Sequence, residues 1–234
     1  MPATHSDPLH DFPVPSRPTV GPAFRASAKR LTAQTMAALS QRREGRWKPG
    51  LSGEAGRPMH SEIFAGSSDA SGAGLGLALA CDALRVQTVS TRRDPLAEVE
   101  DRRQILWVQD LAAIQRTGRP YRAGLPADLR DRLIHVAADS PEDALFALEE
   151  GLRCRDLAFV MGEIAGNPRA LDFTASRRLS LTAEKHGVPL WLVRLDAKAD
   201  LSSARMRWRV EASPSAPALW DAKAPGEPVW HAEL

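Results

Sequence analysis

Between a short strand-like run, His60-Ser61-Glu62-Ile63-Phe64-Ala65, and an apolar helical pattern, Leu75-Gly76-Leu77-Ala78-Leu79-Ala80, lies the stretch Gly66-Ser67-Ser68-Asp69-Ala70-Ser71-Gly72-Ala73-Gly74. A glycine-rich passage from strand to helix is where phosphate-binding loops sit. There, backbone N–H groups cradle phosphate oxygens, a lysine reaches the outer phosphates, and a Ser or Thr hydroxyl holds magnesium. This stretch has no lysine. With Gly72 set as the glycine before that lysine, Ala73 takes the lysine position and Gly74 the hydroxyl position. Starting the frame at Gly66 instead puts Ser71, Gly72 and Ala73 at the Gly-Lys-Thr positions. A neutral loop does not screen triphosphate charge, so the stretch predicts a strand–loop–helix start without efficient ATP turnover.

The pattern downstream continues that start. Gln104 to Gln109 is apolar without alternation, as in a strand covered on both faces. Further strands are expected at Arg132 to Ala137, Leu157 to Met161 and Val188 to Arg194. Helices are expected from about Gly74 to Val89, in a short piece after residue 110, after Ser140-Pro141-Glu142-Asp143, and from Asp172 to Lys185 with Gly187 closing it. The charged segment Thr91 to Arg103 holds Asp94-Pro95, a further helix-start signal. Strand–helix alternation of this kind implies a mostly parallel sheet with helices on both faces. Ser203 to Val210 differs, because it alternates: Arg205, Arg207 and Arg209 on one face, Met206, Trp208 and Val210 on the other. It is expected at the sheet edge.

The ends read differently from this body. Residues 1–23 are Pro-rich and expected to be disordered, 24–43 suit a helix, and Glu44 to Pro58 holds four glycines and two prolines, a linker composition. Residues 1–59 carry nine Lys/Arg against four Asp/Glu, whereas the remaining 22 basic and 25 acidic residues leave the body slightly acidic. Such an arm suits nucleic acid or an acidic partner, or is simply solvated. Trp47 in the linker docks on the core or contacts a partner. The resulting division is an N-terminal arm over 1–59, a core over 60–212 and an Ala/Pro/Trp tail over 213–234. No apolar run reaches transmembrane length and the N-terminus has no signal-peptide core, so a cytoplasmic protein away from membranes is expected.

Few residues invite a chemical role. Cys81 and Cys154 lie far apart in apolar patterns and are expected as buried small hydrophobes, without a zinc site. The six histidines show no ligand spacing, and His135, inside a strand, suits a hydrogen-bonded core position. Glu163, read at the end of the fourth strand, stands where a magnesium-binding acid would be, yet it lacks upstream partners. Alternatively it hydrogen-bonds a neighbouring loop. No catalytic residue, metal ligand or cofactor is therefore assigned. Arg205, Arg207 and Arg209 form a candidate partner-binding ridge for phosphates or acidic side chains, which Arg177-Arg178 would extend; pairing with nearby carboxylates is the alternative. Trp220 and Trp230 are candidate anchors in a partner's groove, or pack on the chain's own sheet edge.

Taken in order, Gly118-Arg119-Pro120-Tyr121 with Gly124-Leu125, Gly151-Leu152-Arg153-Cys154-Arg155-Asp156-Leu157-Ala158, Leu171-Asp172-Phe173-Thr174-Ala175-Ser176-Arg177-Arg178-Leu179, Gly187-Val188-Pro189 and Ala204-Arg205-Met206-Arg207-Trp208-Arg209-Val210 resemble the ImuA family. These are RecA-like accessory proteins of bacterial mutagenic translesion synthesis, and the resemblance runs from about His60 to Pro214. It implies a RecA-like core, of P-loop NTPase type, whose phosphate loop (Gly66, Gly72, Ala73, Gly74) is degenerate. It also implies an adaptor role in the SOS response. The implied partners are an ImuB-like polymerase homologue and an error-prone replicative-type DNA polymerase, with a link to RecA and single-stranded DNA. Two other readings stay open: an unorthodox ATPase of the RecA superfamily, and a SulA-like cell-division inhibitor.

Overall fold

The computed structural model describes residues 58–91 and 101–234 apart from 219, 222 and 225, with side chains left out over 85–91. All of them belong to the second of two units into which the chain divides, Gly56–Leu234. The expected arm, the helix over 24–43, Trp47 and the Asp94-Pro95 helix start lie outside the described residues.

Seven strands among the described residues form one sheet: β1 (His60–Ala65), β2 (Gln104–Asp110), β3 (Leu133–Ala138), β4 (Leu157–Ala165), β5 (Leu190–Leu195), β6 (Met206–Ser213) and β7 (Val229–Glu233). Their order across the sheet is β3-β2-β4-β5-β1-β6-β7. Every pairing is parallel except β6 with β7. Among the described residues four α-helices cover it: α1 (Ser71–Thr91), α2 (Leu111–Thr117), α3 (Pro141–Arg153) and α4 (Phe173–His186). This is the mostly parallel α/β architecture expected from the sequence, consistent with a RecA-like arrangement.

Two apolar layers sandwich the sheet. Ile63, Trp107, Phe159, Met161, Val193 and Trp208 face α1 and α2, with Ala113 of α2 in the same cluster. Leu106, Val160, Leu190 and Leu192 face α3 and α4, against Leu148, Leu152 and Leu179. Burial on both faces is why β4 and β5 are apolar without alternation, interrupted by a charge only at Glu163 and Arg194.

Local chemistry sets the helix ends as read. Ser140 accepts from the Asp143 N–H with Pro141 at the first helical position, and Asp172 accepts from the Ala175 N–H. Gly187 closes α4 at φ 72°, a left-handed conformation that costs other residues. One expectation is corrected. The alternating strand at 203–210 is not the sheet edge, because β7 pairs antiparallel beside it, Arg209 opposite Glu233 and Ser213 opposite Val229. No helix among the described residues is long and apolar enough to cross a membrane.

Candidate functional site

The loop between β1 and α1 is closed by the chain's own acids. The Ser71 N–H donates to Asp69 Oδ1 at 2.7 Å, and the Ser67 N–H donates to Asp196 Oδ1 at 2.9 Å. Hydrogen bonds from Ser71 hold the Asp69 carboxyl below its ordinary range, and those from Ser67 do the same for Asp196. Asp196 is the one non-glycine residue with positive φ among those described, at 51°, and its own N–H donates to Ala65 O. Asp tolerates that backbone better than most residues. A carboxylate at a helix N-terminus sits where the positive end of the helix dipole would otherwise attract an external anion. Two N–H groups of the loop are thus already engaged, by negative charge.

Packing accounts for two of the glycines. A Cβ on Gly72 would stand 2.7 Å from Ala65 Cβ and 2.8 Å from Val193 Cγ1. One on Gly74 would stand 2.9 Å from Trp230 Cζ2. Helix α1 therefore lies so close to β1, β5 and β7 that side chains at these positions would collide. Ala73, half-buried, packs on the α1-side core.

Glu163 is not at a strand end. β4 continues to Ala165, and the carboxylate is 2% exposed, accepting from Trp107 Nε1 at 2.7 Å and from Thr117 Oγ1 at 3.3 Å. Burial pushes its pKa up against the pull of those donors. Its partners lie in β2 and α2. Neighbouring Asp110 caps α2 by accepting from the Ala113 N–H at 2.6 Å and also accepts from the Ala165 N–H. No group of three or more His, Cys, Asp or Glu side chains among the described residues is placed to hold a metal.

The three arginines separate by environment. Arg205 precedes β6, its side chain 76% exposed, with Glu184 Oε1 at 3.8 Å. Arg207 reaches inward: its Nε donates to Glu62 Oε2 at 2.8 Å, and its guanidinium lies 5.0 Å from the Phe64 ring centroid. Arg209 is exposed. Of the helix pair, Arg177 is exposed and Arg178 pairs with Glu149 of α3 at 2.6 Å.

Glu62 is the functional-looking residue that sequence reasoning passed over. It has no exposure, and besides Arg207 it meets Arg194 Nη1 at 3.6 Å and accepts from Ser202 Oγ at 2.8 Å. Arg194, 1% exposed, bridges on to Asp200 and to Gly166 O. Beside them His60 Nδ1 lies 2.8 Å from Ser180 Oγ. Burial, then the Arg194 and Arg207 charges, lower its pKa to about 3. The available signal was two polar residues, 60 and 62, at period two inside a central strand, matched by one arginine inside β5.

The tail tryptophans differ too. Trp220 is 81% exposed, whereas Trp230 lies in β7, half-buried against the α1-side core and over Gly74. His135 is half-buried and meets Gln109 Oε1 at 2.9 Å. The cysteines are not both buried: Cys81 is half-buried, and Cys154, just after α3, is exposed.

No protein-family model matches the chain, and no curated protein does. A crystal structure of SulA from Pseudomonas aeruginosa aligns with 59% of this chain and 99% of that one, at 20% identity and a TM-score of 0.34. A likeness that slight carries no argument.

Proposed function

We propose that the chain is a non-catalytic RecA-like adaptor in SOS-induced translesion DNA synthesis and mutagenesis. It engages an ImuB-like polymerase homologue and, through it, an error-prone replicative-type DNA polymerase. The link to RecA and single-stranded DNA belongs to the same proposal. The observation that carries the reading is the loop at residues 66–74. Asp69 and Asp196 occupy two of its N–H groups, those of Ser71 and Ser67, and Ala73 offers a methyl group where triphosphate chemistry needs a cation. Phosphates entering there would have to displace two carboxylates and then meet their repulsion. Exposed Arg205, Arg209 and Trp220 support a binding role, since they serve no buried contact among the described residues.

Two measurements test it. Magnesium-ATP at millimolar concentration is expected to leave the Tm unchanged, because a ligand stabilises a fold only by binding it. Steady phosphate release would instead establish the ATPase reading. Immobilised protein is expected to retain an ImuB-like partner, and the double substitution Arg209→Ala/Trp220→Ala to weaken that capture. Cell filamentation on overexpression, with binding to the tubulin-like division protein and none to the ImuB-like partner, would turn the reading to a division inhibitor.

A further inference from the structure

Beside the sheet, on the α4 face, runs an open groove of about 330 Å³. One wall is helical: Phe173, Arg177, Leu181 and Glu184 of α4. Arg205 stands opposite, before β6, and the floor is Ser180 and Ser203. That floor is satisfied from within. Ser203 Oγ donates to Ser180 Oγ at 2.6 Å, Ser180 Oγ also meets His60, and the Ser203 N–H donates to Ser176 Oγ. Nothing in the floor demands a hydrogen-bonding ligand, so recognition falls to the walls.

The walls are apolar and cationic. Phe173 is 39% and Leu181 52% exposed, and Leu201, two residues before Ser203, is 75% exposed. Phe173 and Leu181 lie eight residues apart on one helix, about 12 Å at the usual rise per residue. Charge is unbalanced around them. Arg177 enters no ion pair among the described residues, Arg205 has only the long, solvent-exposed contact to Glu184, and Arg209 is exposed further along β6. An exposed pair of that length contributes little and leaves the guanidinium free to switch partners. A nucleic acid strand would set its phosphates against two large apolar side chains and Glu184. A peptide can set its apolar anchors over Phe173 and Leu181 and its carboxylates over Arg177 and Arg205, clear of Glu184, where a strand's evenly spaced phosphates have no such choice.

We propose that this groove docks an acidic segment of a partner protein carrying two large apolar side chains about 12 Å apart, set over Phe173 and Leu181. The inference rests on the adaptor reading and names the surface it uses.

The probe is a fluorescein-labelled helical peptide with Leu and Phe eight residues apart, about 12 Å, and Glu at the flanking positions, titrated by anisotropy into the full chain. Its twin has Lys in place of Glu. The acidic peptide is expected to bind at least tenfold tighter than its twin. Leu181→Glu and Arg177→Glu/Arg205→Glu, all exposed positions, are each expected to weaken it at least tenfold without a change in Tm. Equal binding of the two peptides, or indifference to both variants, overturns the proposal. So does a dT30 oligonucleotide that competes with the peptide and loses affinity in the same variants, since the surface would then serve nucleic acid. Capture of the ImuB-like protein is read separately. If it fails while the acidic peptide binds the groove, the adaptor reading falls and the groove stands. If it succeeds with both variants at wild-type strength, the adaptor stands and the groove falls.

Discussion

Arg207 lies 2.8 Å from Glu62, a carboxylate with no exposure, and the two meet across paired positions of β6 and β1. Removing one member of such a pair leaves the other charge buried without compensation, which costs about 3–5 kcal/mol in general. Arg194 at 3.6 Å and Ser202 at 2.8 Å still face Glu62, so Arg207→Ala is expected near the lower end of that range. Arg209→Ala, two residues along the same strand face, is expected within about 0.5 kcal/mol of wild type. Chemical denaturation of both variants checks the contrast; equal losses would mean that Glu62 does not depend on Arg207. His60 adds a pH dependence. Its folded-state pKa of about 3 lies below the ordinary value of 6.5, because burial and two arginines disfavour the imidazolium. The stability it supports is therefore present above pH 6.5 and is lost as pH falls toward 3, since the unfolded chain takes up the proton first. His60→Gln is expected to flatten the fall in stability between those pH values. An unchanged acid limb would show that other groups carry it.

Helix α1 shows at the element scale how one sequence pattern serves two physical demands. Glycines at 72 and 74 suggest phosphate approach, yet in the folded chain they meet Ala65, Val193 and Trp230. Gly74→Ala is then governed by opposing terms. Helix propensity favours alanine by about 1 kcal/mol, and overpacking against the indole opposes it by about 1–3 kcal/mol. The expected result is a net loss with Trp230 present and a net gain in a Trp230→Ala background, a sign reversal that a double-mutant cycle reads directly. Additive effects would detach the indole from this helix. The same logic explains what the sequence made legible. The starts of α3 and α4 depend on Ser140 and Asp172 with residues three positions on, so local chemistry announced them. The strands β2, β4 and β5 announced themselves by the apolar runs Ile105 to Val108, Leu157 to Met161 and Leu190 to Val193. Glu62 gave no such signal, since its partners Arg194 and Arg207 are more than 130 positions away. β7 was equally hidden, because Val229 to Glu233 gains its identity only by pairing with β6 across a Pro-rich stretch.

For the molecule as a whole, the C-terminal segment has two roles that a simple deletion would confuse. Val229 to Glu233 completes the sheet, and Trp230 covers part of the α1-side core, while Trp220 stands 81% exposed in the connection. A chain ending at Ser213 loses the strand beside β6 and bares a row of backbone donors and acceptors, the condition under which sheet edges pair with other chains. It also removes the half-buried indole and exposes to water the apolar surface of the α1-side core beneath it, at a cost on the order of 1.5–3 kcal/mol. The shortened chain is expected to melt several degrees lower and to form soluble aggregates visible by light scattering. Trp220→Ala removes an exposed side chain and is expected to leave the Tm within about a degree, since surface substitutions shift stability little. Partner capture acquires meaning only against that pair. Loss in Trp220→Ala at unchanged Tm locates a contact at the indole; loss confined to the shortened chain reports a damaged sheet. If the shortened chain melts with the full one, β7 contributes nothing to the fold, and the whole segment from 214 onward is free to serve a partner.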